Sequence, residues 1–166
     1  PTDFVRVLTP AGEALAIYSS AQALSAHRPG DRPMALSVRT ICLTALVETS
    51  GRIVMNPGTD AVVLPRPAVA ALAQGDTWLP AWRDTALRDQ LVAEAGAVCP
   101  AIVDLSVVYA GDGLIRVVVS VDRASYADGA DASAMKAALS QALSQIGASP
   151  RLIASADRVE IAPVLR

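Results

Sequence analysis

The chain has 166 residues, with 14 Lys plus Arg against 16 Asp plus Glu, 52% hydrophobic residues and 18% charged ones. A chain of this length and hydrophobicity buries a core without disulfides or a structural metal, and its low net charge argues against disorder. Its basic residues stand singly, which excludes the clustered cationic surface that nucleic acid demands. No apolar run reaches the ~18–20 residues of a membrane-spanning helix.

The chain opens on a hairpin pattern. Phe4-Val5-Arg6-Val7 alternates, Thr9-Pro10-Ala11-Gly12 reads as a turn, and Leu15-Ala16-Ile17-Tyr18 resumes the extended pattern. Ser19 and Gln22 stand at capping-box spacing for a short helix, which Arg28-Pro29-Gly30-Asp31-Arg32-Pro33 breaks. A short strand is expected at Met34-Ala35-Leu36. Ser37 then caps a second helix whose apolar face is Val38, Ile41, Cys42, Ala45 and Leu46, closed by Gly51. Ile53-Val54-Met55 and Ala61-Val62-Val63-Leu64 flank the turn residues Asn56, Pro57 and Gly58 and predict a second hairpin. A third helix starts at about Arg66, with Pro67 in its first turn and Gly75 past its end.

The second half starts with a helix over about 85–97, with Leu87, Leu91, Val92 and Ala95 on one face. Two strands, 102–109 and 114–121, are joined by the hairpin signal Gly111-Asp112-Gly113. A further helix carries Met135, Ala138, Leu139, Ala142, Leu143 and Ile146 on one face. Asp131 or Ser133 serves as its cap and Gly147 as its stop. A strand at 158–162 closes the chain.

The fold class is therefore α/β (α+β): two small mixed halves expected to pack together, ββαβαββα followed by αββαβ. The domains fall at 1–75 and 86–166, with a linker at 76–85 that holds both Trp78 and Trp82. Two tryptophans in so short a segment point first to anchoring by aromatic burial. The alternative use is a binding hot spot, with Arg66 as a neighbouring cation.

Catalytic constellations are missing from the sequence. There is no Gly-x-Gly-x-x-Gly or Walker loop, no Gly-x-Ser-x-Gly elbow and no Cys-x-x-Cys. With one histidine, His27, and two distant cysteines, Cys42 and Cys99, no metal site is expected. His27 with either cysteine is the sole nucleophile–base combination on offer. Cys42, within Ile41-Cys42-Leu43, reads as a small buried hydrophobe. The loop Asp122–Asp131 lacks the ligand spacing of a calcium loop and reads as a solvated connection. No cofactor is expected.

The string from Ile53 to Leu72, with its Asn56-Pro57-Gly58 turn and the Leu64-Pro65 step that opens a helix, resembles the SseB family, named for enhanced serine sensitivity. Ala16-Ile17-Tyr18-Ser19-Ser20-Ala21-Gln22-Ala23-Leu24 is similar to that family's strand followed by a Tyr-Thr-Ser-x-Glu-Ala-Leu helix start, with Ser19 for Thr and Gln22 for Glu. The stretch after Trp82 is similar to the family's C-terminal domain. The resemblance implies a bacterial protein tied to serine sensitivity, with no established catalytic residues and no site to carry over. The Asn56-Pro57-Gly58 match is structural in kind.

The functional expectation is a non-enzymatic protein that acts through a protein partner or as a homo-oligomer. The alternative is a regulatory module that binds a small molecule such as an amino acid in a cleft between the halves, near Arg66, Trp78 and Trp82. No signal segment stands at the start of the sequence, so a cytoplasmic location is expected, with a leader before Pro1 left open.

Overall fold

The computed structural model describes residues 4–127 and 132–166, the side chains of 126 and 127 excepted. The chain divides into two compact units, Pro1–Trp78 and Leu79–Arg166.

The first unit is built on a four-stranded sheet in the order β1-β2-β3-β4. β1 (Arg6–Thr9) and β2 (Gly12–Ile17) form an antiparallel hairpin in which Arg6 faces Leu15. Its turn is closed by the Thr9 hydroxyl, which donates to the Gly12 carbonyl at 2.7 Å and accepts from the Ala11 amide at 3.2 Å. β3 (Ile53–Met55) runs parallel to β2, with Leu15 opposite Ile53, and β4 (Val62–Leu64) returns antiparallel. The crossover between the parallel strands holds α1 (Ala21–His27) and α2 (Val38–Glu48), and α3 (Arg66–Gln74) follows β4. Leu15, Cys42, Ala45, Ile53, Val69 and Ala73 form the buried core, with Phe4, Ile17, Ile41, Leu46, Leu64 and Leu72 packed against it.

Three local expectations change. Met34–Leu36 is not a strand. Both edges of β2 are taken by β1 and β3, neither open edge of the sheet, at β1 or β4, takes the segment up, and Pro33 before it carries no amide hydrogen. The order of this half is therefore ββααββα. The N-cap of α1 is Ser20, whose hydroxyl accepts from the Ala23 amide at 3.1 Å; Ser19 has another partner. Val38, placed on the inward face of α2, is 60% exposed: it shares the stripe of Cys42 and Ala45 but is the first residue of the helix, before the turns that meet the core.

The second unit starts with a 3-10 turn at Ala81–Arg83, then α4 (Thr85–Val98), β5 (Ile102–Tyr109) and β6 (Leu114–Val121). A short helix α5 (Ala124–Ala127), α6 (Ala132–Ala148), α7 (Pro150–Ser155) and β7 (Arg158–Leu165) complete it. The sheet order is β5-β6-β7, antiparallel then parallel. Strand alternation sends Ile115, Val117, Val119 and Val121 to one face, where Leu105, Leu87, Leu91, Ala142 and Ile146 bury them. Asp84 caps α4 by accepting from the Leu87 amide at 3.0 Å, and it also holds Arg151 of α7 at 2.8 Å.

The sequence pattern for this half misses α5 and α7 and ends β7 early. It also misreads Gly147, which lies inside α6 because that helix runs on to Ala148. The chain leaves helical geometry only at Ser149, the cap of α7. Ser133 is an interior residue of α6 and Asp131 lies outside the described residues. Among the described residues, no helix is long and apolar enough to cross a membrane.

Candidate functional site

Two loops leave the C-terminal ends of the adjacent parallel strands β2 and β3, the place where open α/β sheets gather ligands. One carries Tyr18, Ser19 and Ser20 into α1. The other carries Asn56, Pro57 and Gly58 toward β4. Asn56 joins them. Its side-chain carbonyl accepts from the Ser19 amide at 2.9 Å, and its amide nitrogen donates to the Ser19 hydroxyl at 3.0 Å. The Asn56 amide itself donates to the Ile17 carbonyl at 2.9 Å, extending the parallel ladder by one step. Asn56 holds a left-handed φ of +54°, which asparagine tolerates better than most residues.

Pro57 is buried, and Gly58 follows at φ +89°. A Cβ at Gly58 would stand 2.8 Å from Cδ2 of His27, so glycine is needed here for space as well as for backbone freedom. His27 ends α1, and its Nδ1 lies 2.8 Å from the Tyr18 hydroxyl. Partial burial pushes the Tyr18 phenol above its ordinary pKa, with Arg28 opposing and Asp31 adding.

Beside this clasp, a groove of about 920 Å³ opens in the first unit. Its apolar lining includes Phe4, Leu15, Ile17, Leu24 and Ile41, and its other wall is the run Gly30–Leu36. Arg6, Arg28, Asp31 and Arg32 supply its charge. Arg6 is paired with Glu48 at 3.2 Å and Arg28 with Asp31 at 2.5 Å. Arg32 has no ion pair or hydrogen bond among the described residues.

The other residues singled out from the sequence are described within their own units. Arg66 is the exposed first residue of α3, and its stem packs over Gly51. Trp78 ends the first unit and is half-buried. Trp82 belongs to the second unit, where its ring lies 5.0 Å from that of Tyr109 and packs on the core. Cys42 is 1% exposed in the first core, where burial pushes its thiol up, away from the thiolate a nucleophile needs. Cys99 is buried in the second core with its sulfur 4.0 Å from that of Met135. The histidine partner found is Tyr18, not a cysteine. No group of three or more His, Cys, Asp or Glu that would hold a metal occurs among the described residues.

Sequence reasoning reads Tyr18-Ser19-Ser20 and Asn56-Pro57-Gly58 as two separate local signals and misses that they meet. The signal was available. Both follow strands, and a strand–helix–strand crossover brings the C-terminal ends of its two strands to the same edge. The groove had no such signal, because its wall at 30–36 has no periodic pattern.

The first unit is thus an α/β domain held at one sheet edge by an asparagine clasp. Residues 3–71 match the family model of the SseB protein N-terminal domain. The match takes in both halves of the clasp and the whole groove lining. No curated protein and no solved structure matches the chain significantly.

Proposed function

We propose that this chain acts by binding a protein partner, or a second copy of itself, and catalyses no reaction, in the cytoplasm of a bacterium. The observation that carries this reading is α2, which is apolar on more than its core face. Ile41, Cys42, Ala45 and Leu46 serve the core, yet Leu43 is 48% and Val47 86% exposed one turn further round. A helix apolar on both sides in a domain of this size is the mark of a surface that is covered part of the time. The free, buried state of both cysteines agrees with a reducing compartment.

The test is a double variant, Leu43→Asp with Val47→Asp, compared with wild type for self-association by sedimentation and for capture of a stoichiometric partner from the source lysate. The expected outcome is loss of the complex with an unchanged melting temperature. A wild-type chain that stays monomeric and captures nothing in stoichiometric amount would overturn the reading. Trp82→Ala is a poor probe of the same question, since that ring belongs to the second core.

A second reading, a regulatory module for a small molecule such as an amino acid, draws on the groove, whose volume lies within the range of ligand pockets. It predicts a saturable thermal shift with one compound. A ligand at 100 times its dissociation constant stabilises the native state by about 2.7 kcal/mol, and a panel of amino acids that leaves the melt flat removes the idea.

A further inference from the structure

The run Arg32–Leu36 has no regular secondary structure, is exposed apart from the half-buried Leu36, and lines the groove. Among the described residues, the backbone of these five makes no hydrogen bond to any other group. Four of them carry an amide donor, since only Pro33 lacks one. Such a row of unused donors and acceptors beside an apolar floor is the arrangement by which an extended peptide is held: main-chain pairing supplies affinity and side-chain pockets supply choice. A single amino acid would meet one of these positions and leave most of the 920 Å³ unfilled. An acyl chain would use the floor and none of the backbone.

The charges choose among peptides. Three arginines and one aspartate line the groove, and the aspartate is already taken by Arg28. Arg32 stands on the wall itself, between Asp31 and Pro33, with no partner among the described residues. A carboxylate on the incoming strand would meet an uncompensated guanidinium, whereas a lysine there would meet only like charge.

We infer that the groove beside the Arg32–Leu36 run is a docking site for an extended, acidic segment of a partner protein, with an apolar side chain on the Phe4, Leu24 and Ile41 floor and a carboxylate on Arg32. This inference rests on the protein-partner reading above and names the chemistry of the partner.

The experiment is a titration of the full chain, followed by amide NMR shifts, with two synthetic hexapeptides that share a Leu-Val-Val-Leu centre, one flanked by Asp and the other by Lys. The acidic peptide is expected to move the amides of Arg32, Met34, Ala35 and Leu36 in a saturable way, more weakly as salt rises. The Lys peptide should bind several-fold more weakly. Arg32→Glu and Met34→Asp, both at exposed positions, should keep the fold and weaken the acidic peptide about threefold or more. Equal binding of both peptides, shifts confined to other residues, or no saturable shift at millimolar peptide would each overturn the inference. So would dodecanoate shifting these amides while both peptides stay inert. If the peptides fail while the Leu43/Val47-dependent complex still forms, the groove assignment falls and the partner reading stands; if that complex is also missing, both fall.

Discussion

The two units solve the same problem with different means. The second has eight-residue strands and a continuous apolar core running from Leu87 to Leu152, so its strands and helices are held by burial. The first has strands of three to six residues, a core reduced to Leu15, Cys42, Ala45, Ile53, Val69 and Ala73, and a long unpaired run at 32–36. What burial does not supply there is supplied by directed contacts between loops, above all the Asn56–Ser19 clasp and the His27 ring over Gly58. The family match falls on this more sparsely buried unit. Its recognisable residues make turns and clasps, where a particular side chain is needed, whereas in the second core any apolar residue of suitable volume keeps the fold.

The comparison breaks most readily in the second core. Leu105→Ala removes a fully buried side chain of β5, opposite Val119 of β6, and should destabilise the second unit by about 3 kcal/mol, read from the denaturation midpoint. A loss below about 1 kcal/mol would show that this core is not the tighter of the two.

The first unit should instead be sensitive at a glycine. Gly58→Ala places a methyl group 2.8 Å from His27 at a left-handed φ, and should cost the first unit about 2 kcal/mol. In a His27→Ala background the same change should cost only about 1 kcal/mol, because the backbone strain remains and the contact is gone. Equal costs in the two backgrounds would mean that the ring does not rest on the turn.

The smallest effect concerns a directed contact of the second unit, the Asp84–Arg151 pair. Partial desolvation raises the pKa of Asp84, but the Leu87 amide and the Arg151 guanidinium outweigh it and hold the carboxyl below its ordinary value. A carboxyl depressed by folding stabilises fully above its unfolded pKa, near 4, and loses that contribution as pH falls through the folded value. Asp84→Asn should therefore cost about 1 kcal/mol at pH 7 and less at pH 3, measured by urea unfolding at both. A gap that does not narrow in acid would mean that neither the Leu87 amide nor Arg151 favours the ionised carboxylate.

Much of this architecture was legible before any fold was known. The β5–β6 hairpin followed from Gly111-Asp112-Gly113, all three of which take positive φ. The inward face of α6 followed from apolar spacing at 135, 138, 139, 142, 143 and 146. Ser37 as a cap and Gly75 as a left-handed stop are local chemistry, complete within a few residues. α7 was not legible, because six residues beginning with Pro150 give too short a pattern to display a period.

For the candidate site the division is sharper. By itself the sequence determined that Asn56, Pro57 and Gly58 turn the chain, that a serine caps α1 and that α2 buries Cys42, since each depends on near neighbours and on the conformational limits of single residues. Only the tertiary structure decided that Asn56 reaches Ser19, 37 positions away, that His27 answers to Tyr18 and Gly58 and not to a cysteine, and that Met34–Leu36 stays an unpaired wall. Those outcomes depend on which strands become neighbours, and strand pairing is settled by the summed burial of the whole unit, which no local pattern encodes.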